Sequence, residues 1–170
     1  MEFVSRMMDA AEVGDAPRPV FSGFRMRRDS KISHLQRVPL LQECSGRQLR
    51  EVARIAQVLE APAGTVLTRV GEAGEEFFMI LDGSAHVEVP DGRQSTLRPG
   101  DFFGEMSLLD EGPRSATVTA ETAIRLLVIR RRHFAVLLHE APALTMKILT
   151  ILSRRVRQLE QQAASSLTSG

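Results

Sequence analysis

The chain has 170 residues, with 22 Lys and Arg against 21 Asp and Glu, a size that suits one compact domain able to bury its own core. A hydrophobic fraction of 43% excludes a chain disordered throughout, and a net charge of +1 gives no support for a dedicated nucleic-acid binder. The single cysteine, Cys44, excludes an internal disulfide and any two-cysteine metal cluster, which favours a reducing, cytoplasmic setting.

Residues 1–30 lack sustained periodicity and contain Gly14, Pro17, Pro19 and Gly23, followed by Arg25, Arg27 and Arg28; they read as a flexible extension with a short docking helix near Val4–Ala11. No continuous apolar segment opens the chain, so it does not read as a signal peptide, and patches such as Leu126–Ile129 fall far short of the roughly 20 residues of a membrane span. Ile32, Leu35 and Val38–Leu41 predict a short helical or turn segment. Ser45–Ala61 then predicts one helix, with Ser45 as N-cap, an apolar stripe of Leu49, Val52, Ile55, Ala56 and Leu59, and Pro62 as its stop.

From Gly64 to Ile129 the pattern changes to short strands. Thr65–Leu67, Glu76–Leu81, Ala85–Val89, Ser95–Leu97, Ala116–Thr119 and Arg125–Ile129 are extended candidates, punctuated by Gly71, Gly74, Gly83, Asp91-Gly92, Pro99-Gly100 and Gly112-Pro113. Asp91-Gly92 predicts an antiparallel hairpin, and the even spacing predicts a jelly roll or another short-stranded barrel. After Arg132 the period returns to helical. Phe134, Val136, Leu137 and Leu138 make one short helix, and Pro142 opens a long amphipathic one through Leu144, Ile148, Ile151, Leu152, Val156 and Leu159. Residues 163–170, rich in Ala and Ser, read as a disordered tail. Residues 120–170 carry eight basic and three acidic side chains, a positive excess that suits nucleic acid, an acidic partner or water equally.

The most informative run is Gly100–Val118, which places a glycine-led short helix, a turn and the pair Arg114-Ser115 between strands. A small cyclic phosphate needs a close backbone approach, amide donors and a cation. Gly104, the amides of the following helical turn and Arg114 can supply these, with Ser115 as a further donor. Glu105 can accept from a ribose hydroxyl. The same residues also fit a plain surface salt bridge beside a turn, and residue types alone leave both readings open.

This run resembles the phosphate-binding cassette of the cyclic-nucleotide-binding domain family, whose pattern is a Gly-Glu pair, a short helix, and an Arg before a small residue. Ser45–Leu59 resembles the helix that precedes the family's β-roll, and Gly71–Gly83 its early strands. Phe134 and the terminal helix fall where its hinge and lid helices occur. The resemblance spans about residues 31–162, which it marks as the domain. It implies a mainly β fold, an eight-stranded jelly-roll-like β-roll with an N-terminal helix and C-terminal hinge and lid helices. It further implies a non-enzymatic sensor that binds cyclic AMP, in preference to cyclic GMP, through Gly104, Glu105, Met106, Ser107, Arg114 and Ser115. Phe103 and Leu108 are candidate pocket lining, with an ordinary core role open to each. Arg154, Arg155 and Arg157 are candidate lid residues. Ser115 has the hydroxyl but not the methyl of the threonine that in the family favours cyclic GMP.

Binding is expected to shift the Phe134 hinge and the 142–162 helix and so to regulate a protein partner whose identity the sequence does not carry. The alternative is a ligand-independent protein-interaction module that keeps the β-roll. No DNA-binding segment follows the terminal helix in this chain, so direct DNA control is not expected, and that helix offers a surface for pairing two protomers. No cofactor or metal is implied. His34, His86, His133 and His139 show no metal-ligand spacing with Cys44 and no HExxH pattern. The chain lacks the GxSxG elbow, the GxxxxGK[ST] loop and the histidine and acid triad of metal-dependent barrels. Asp110, Glu111 and Glu72 read as turn surface, and Arg130–Arg132 as an exposed strand-to-helix junction.

Overall fold

Ser45 caps a helix as its side chain predicts. In the computed structural model, which describes residues 22–23, 28–38 and 41–168, its hydroxyl accepts from the Gln48 amide while the Gln48 side chain accepts from the Ser45 amide. The docking helix expected near Val4–Ala11 lies outside the described residues. The capped helix, α2 (Gly46–Ile55), packs beside α1 (Arg28–Leu35). It ends well short of the Ala61 that apolar periodicity predicts. Ala56 turns extended at φ −86° and ψ 147°, and Lys31 Nζ donates to the carbonyls of Ala53 and Ala56 at 2.9 and 2.6 Å. Leu59 leaves the predicted helical stripe to pair with Leu126, next to Val58 opposite Leu127. Leu fits either period, and pairing with a buried strand overrides the local signal.

Among the described residues nine strands occur in chain order: β1 (Ser22–Gly23), β2 (Gln57–Ala61), β3 (Val66–Thr68), β4 (Glu76–Asp82), β5 (Ala85–Glu88), β6 (Gln94–Leu97), β7 (Phe102–Phe103), β8 (Thr117–Ala120) and β9 (Ile124–Arg130). They form two antiparallel sheets, in the orders β1-β2-β9-β4-β7 and β3-β8-β5-β6, so the fold is mainly β with flanking helices, as expected. β1, β2 and β7 are absent from the sequence-based strand set. β1 and β7 have two residues each, too few for a period to register. The Asp91-Gly92 turn joins β5 to β6 as predicted, with Gly92 at φ 83°.

β4 and β9 lie side by side and are buried on both faces, which explains their unbroken apolar runs. Phe77, Met79, Leu127 and Ile129 point to a helix-side core with Leu49, Val52, Phe134, Leu137, Leu144 and Ile148. Phe78, Ile80, Leu126 and Val128 point to an inter-sheet core with Leu67, Ala85, Val118 and Ala120. The neighbouring residues of β7 divide the same way, Phe102 to the helix side and Phe103 to the sheet side.

Two helices close the chain, α4 (Arg131–Glu140) and α5 (Pro142–Thr168), and meet at a bend of 107°. Pro142 disfavours helical backbone at Ala141, which sits at φ −127° and ψ 70°. α5 continues through the Ala/Ser segment whose composition predicts disorder from residue 163, because Gln161, Gln162, Ala163 and Ala164 are good helix formers. Among the described residues no single helix is long and apolar enough to cross a membrane.

Candidate functional site

The short helix α3 (Glu105–Leu109) leaves β7 through Gly104, its N-cap, at φ 84° and ψ 0°. That left-handed backbone favours glycine. Space demands it as well, since a Cβ there would sit 2.5 Å from Arg114 Nη1 and 2.7 Å from the Glu76 carbonyl oxygen. The loop before β4 is equally tight: a Cβ on Gly74 would lie 2.6 Å from the Ser107 Cβ and 2.8 Å from Arg114 Cζ. Backbone therefore surrounds Arg114 on two sides.

Arg114 is 6% exposed. Its Nη1 donates to the carbonyls of Glu76 and Gly104 at 2.9 and 3.1 Å, its Nη2 lies 3.6 Å from the Glu76 carboxylate, and its guanidinium sits 5.5 Å from the centre of the Phe78 ring. Exchange of backbone bonds with the 71–72 loop fixes its main chain: Gly71 N–H donates to the Arg114 carbonyl and Arg114 N–H to that of Glu72. Burial pushes its pKa down, against Glu76 and Glu105, which hold it up, with Arg131 adding a like charge.

Glu105, the first residue of α3, is 2% exposed. Burial pushes its carboxyl above the ordinary value, and the neighbouring Arg155, its own backbone amide and Arg114 pull it back. Arg155, on α5, donates from Nη1 to Glu105 Oε1 at 2.9 Å and from Nη2 to the Phe102 carbonyl at 3.0 Å, with its guanidinium 4.9 Å from the Phe102 ring centre. A buried acid and a buried cation thus stand beside Gly104, the acid next to it in the chain and the cation bonded to its carbonyl, each held by protein partners. Such a pair can accept from a hydroxyl at one end and bind an anion at the other.

The remaining sequence-based candidates divide. Ser107 is buried at 1% exposure, and Met106 is half exposed with its sulfur 3.6 Å from the exposed Ser115 hydroxyl. Phe103 stacks on Phe78 with ring centres 4.8 Å apart, and the partly buried Leu108 packs against the helix-side core. Of the three lid arginines only Arg155 reaches the site; Arg154 and Arg157 are exposed. Two residues beside the candidate site escape the sequence-based reading. Glu76 lies on another strand, and Arg131, read as part of an exposed junction, donates from Nη2 to the carbonyls of Gly74 and Ser107 at 2.8 and 2.9 Å. Among the described residues no group of three or more His, Cys, Asp or Glu can hold a metal ion. A cavity of about 380 Å³, lined in part by Glu60, Asp82 and Arg125, opens at the opposite end of β4 from Glu76 and includes no cassette residue.

The model of the cyclic nucleotide-binding domain matches residues 58–141. A cyclic nucleotide-gated potassium channel of Mesorhizobium japonicum is 40% identical over 105 residues, which cover 62% of this chain and 29% of the channel. The regulatory domain of Toxoplasma gondii protein kinase A crystallised with cAMP is 25% identical with a TM-score of 0.64, over 78% of this chain and 50% of that one. The regulatory subunit of a cAMP-independent protein kinase A from Trypanosoma brucei is 28% identical with a TM-score of 0.65, over 75% of this chain and 47% of that one. The chain spans 29–33% of the length of the first curated relatives it matches.

Proposed function

Residues 58–141 place the chain in the cyclic nucleotide-binding domain family, and from that premise we propose that it is a non-catalytic sensor that binds cyclic AMP, in preference to cyclic GMP, at the cassette Gly104, Glu105, Met106, Ser107, Arg114 and Ser115. The observation that carries this reading is the buried acid and buried cation flanking the left-handed Gly104. The amides at the start of α3 and the Arg114 guanidinium would hold the cyclic phosphate, and Glu105 would accept from the ribose 2′-hydroxyl. Ligand recognition here makes and breaks no covalent bond. Calorimetric titration of nucleotide-stripped protein with cyclic AMP, then cyclic GMP, tests it. Saturable binding supports the assignment, and absence of binding to either in folded, ligand-free protein overturns it.

The switch would run through Arg155. Arg155 bonds the Glu105 carboxylate that would also accept from the ribose hydroxyl, so nucleotide and the seat of α5 would be coupled through one side chain, and ligand would bias α5 through unequal affinity for its two states. In the nucleotide-free protein, Arg155→Ala is expected to raise amide exchange across residues 150–162. Unchanged exchange there would show that the pair does not tether α5.

The regulated partner would be a protein that reads the position of α4 and α5. Pairing of two copies through α5 is supported by Leu149, Leu152, Val156, Leu159 and Ala163, which recur at alternating spacings of three and four, with Leu149, Val156 and Leu159 52%, 53% and 45% exposed. Sedimentation equilibrium checks this: a dimer is expected for the native chain and a monomer for the Leu149→Lys, Val156→Lys variant. A reducing, cytoplasmic location fits the lone, buried Cys44 thiol, whose pKa burial pushes up.

A second reading, a ligand-independent interaction module, is favoured by the Arg155–Glu105 ion pair, which satisfies the buried carboxylate from within the chain. A partner complex of equal affinity with and without cyclic nucleotide would establish it.

A further inference from the structure

α3 is a five-residue turn, so the Ser107 carbonyl has no amide four residues on within its own helix and needs an outside donor. Arg131 supplies it. From the first position of α4, Arg131 Nη2 bridges the carbonyls of Ser107 and Gly74 at 2.9 and 2.8 Å, while its Nε donates to the Glu75 carboxylate at 3.2 Å and its backbone N–H to the Glu75 carbonyl at 2.8 Å. One guanidinium therefore joins three segments: the turn that carries the cassette, the tight loop pressed against Ser107 and Arg114, and the start of the hinge helix. Three residues further along α4, Phe134 stacks on Phe77 with ring centres 5.0 Å apart, and Phe77 lies 5.6 Å from Phe102 at the entry to the cassette. The polar tie and the aromatic contact converge on the same first turn of α4.

We propose, resting on the assignment of the cassette as a cyclic AMP site, that Arg131 is the positioning residue that transmits the state of α3 to α4. Displacement of the α3 backbone by a seated phosphate moves the Ser107 carbonyl, and the guanidinium bonded to it carries that displacement to the first residue of the hinge helix. The task suits arginine. A planar fork donates in several fixed directions at once, whereas a lysine ammonium is a point charge on a flexible stem and cannot hold the same three oxygens in fixed register. Arg131 bonds to the carbonyls of Gly74 and Ser107 and to Glu75 rather than to the amides and side chains assigned to the nucleotide, so its loss is expected to separate response from binding.

The test compares the native chain, Arg131→Ala and Arg131→Lys by cyclic AMP titration and by amide exchange with and without saturating cyclic AMP. Both variants are expected to bind within about fivefold of the native affinity, and the nucleotide-dependent change in exchange over residues 131–162 is expected to fall to about a quarter or less, because coupling and affinity are separate quantities. A native-sized change in a saturated variant overturns the proposal. The ligand-free proteins give an independent arm. Arg131→Ala is expected to speed exchange at residues 105–110 and 131–140 together, and native rates in both segments overturn the tie itself. Failure of the native chain to bind cyclic AMP would overturn the cassette assignment, and the ligand-free arm would still decide whether Arg131 links the two helices. Should the alanine variant not fold, Arg131→Lys, which keeps the charge and the stem, gives the same two readouts.

Discussion

Replacing Arg114 with alanine is expected to weaken cyclic AMP binding by about one to two orders of magnitude. A hydrogen bond to a charged group contributes about 1.5–3 kcal/mol, and each 1.4 kcal/mol is roughly tenfold in affinity. The loss is concentrated at this residue because its guanidinium is 6% exposed and confined by Gly74 and Gly104, so a neighbouring cation cannot move in to replace it. The Glu76 and Gly104 carbonyls also lose their donor. Arg114→Lys restores charge but not the fork, and is expected to recover only part of the affinity. Calorimetric titration of native and variant proteins, with circular dichroism to confirm folding, measures the effect. Native affinity in a folded Arg114→Ala would remove this residue from the phosphate site.

The largest effect on stability is expected at Phe77, on the strand that both cores share. Its side chain is fully buried between the Phe102 and Phe134 rings, so truncation opens a cavity where the cassette strand, β4 and the hinge helix meet. Phe→Ala in such a setting costs about 3–5 kcal/mol. For a chain of this size, ~1 kcal/mol shifts the thermal midpoint by roughly 2–4 °C, so a drop of about 6–20 °C is expected in Phe77→Ala. Phe77→Leu, which refills most of the volume, should fall less. A midpoint within about 2 °C of the native value for the alanine variant would contradict the packing described.

The cassette is legible in the sequence because its parts lie within one short stretch. Gly104-Glu105 and Arg114-Ser115 are adjacent pairs, and a left-handed glycine before a turn of helix is a local geometry that residue type and order can signal. The partners are not local. Arg114 meets Glu76 across 38 positions, Ser107 meets Arg131 across 24, and Glu105 meets Arg155 across 50. Until the chain closes those separations, such side chains look like solvated charge. Arg155 illustrates the limit: its neighbours Arg154 and Arg157 carry the same chemistry, and only the rotation of α5 about its own axis decides which of the three faces the site. The segment at 57–61 differs for another reason. Its leucine and valine satisfy a helical stripe and a strand equally, and the strand prevails because β9 offers a pairing edge. The strand β7 is too short to announce itself, yet its two phenylalanines enter one core each.

The length of α5 would give the proposed sensor a mechanical advantage. With 27 residues it extends for about 40 Å at ~1.5 Å per residue, from a pivot at the Ala141-Pro142 bend. A rotation of only about 10° at that pivot sweeps the far end through roughly 7 Å, several times a typical packing adjustment inside a domain. The helix would work as a lever hinged at that bend, held along its length by Arg155 on Glu105 and, near its tip, by Gln162, whose Oε1 accepts from Arg93 Nη1 at 3.2 Å. A receiver placed near its tip would read an amplified displacement, and truncating the tip would cost the signal its reach while leaving the binding pocket as it was.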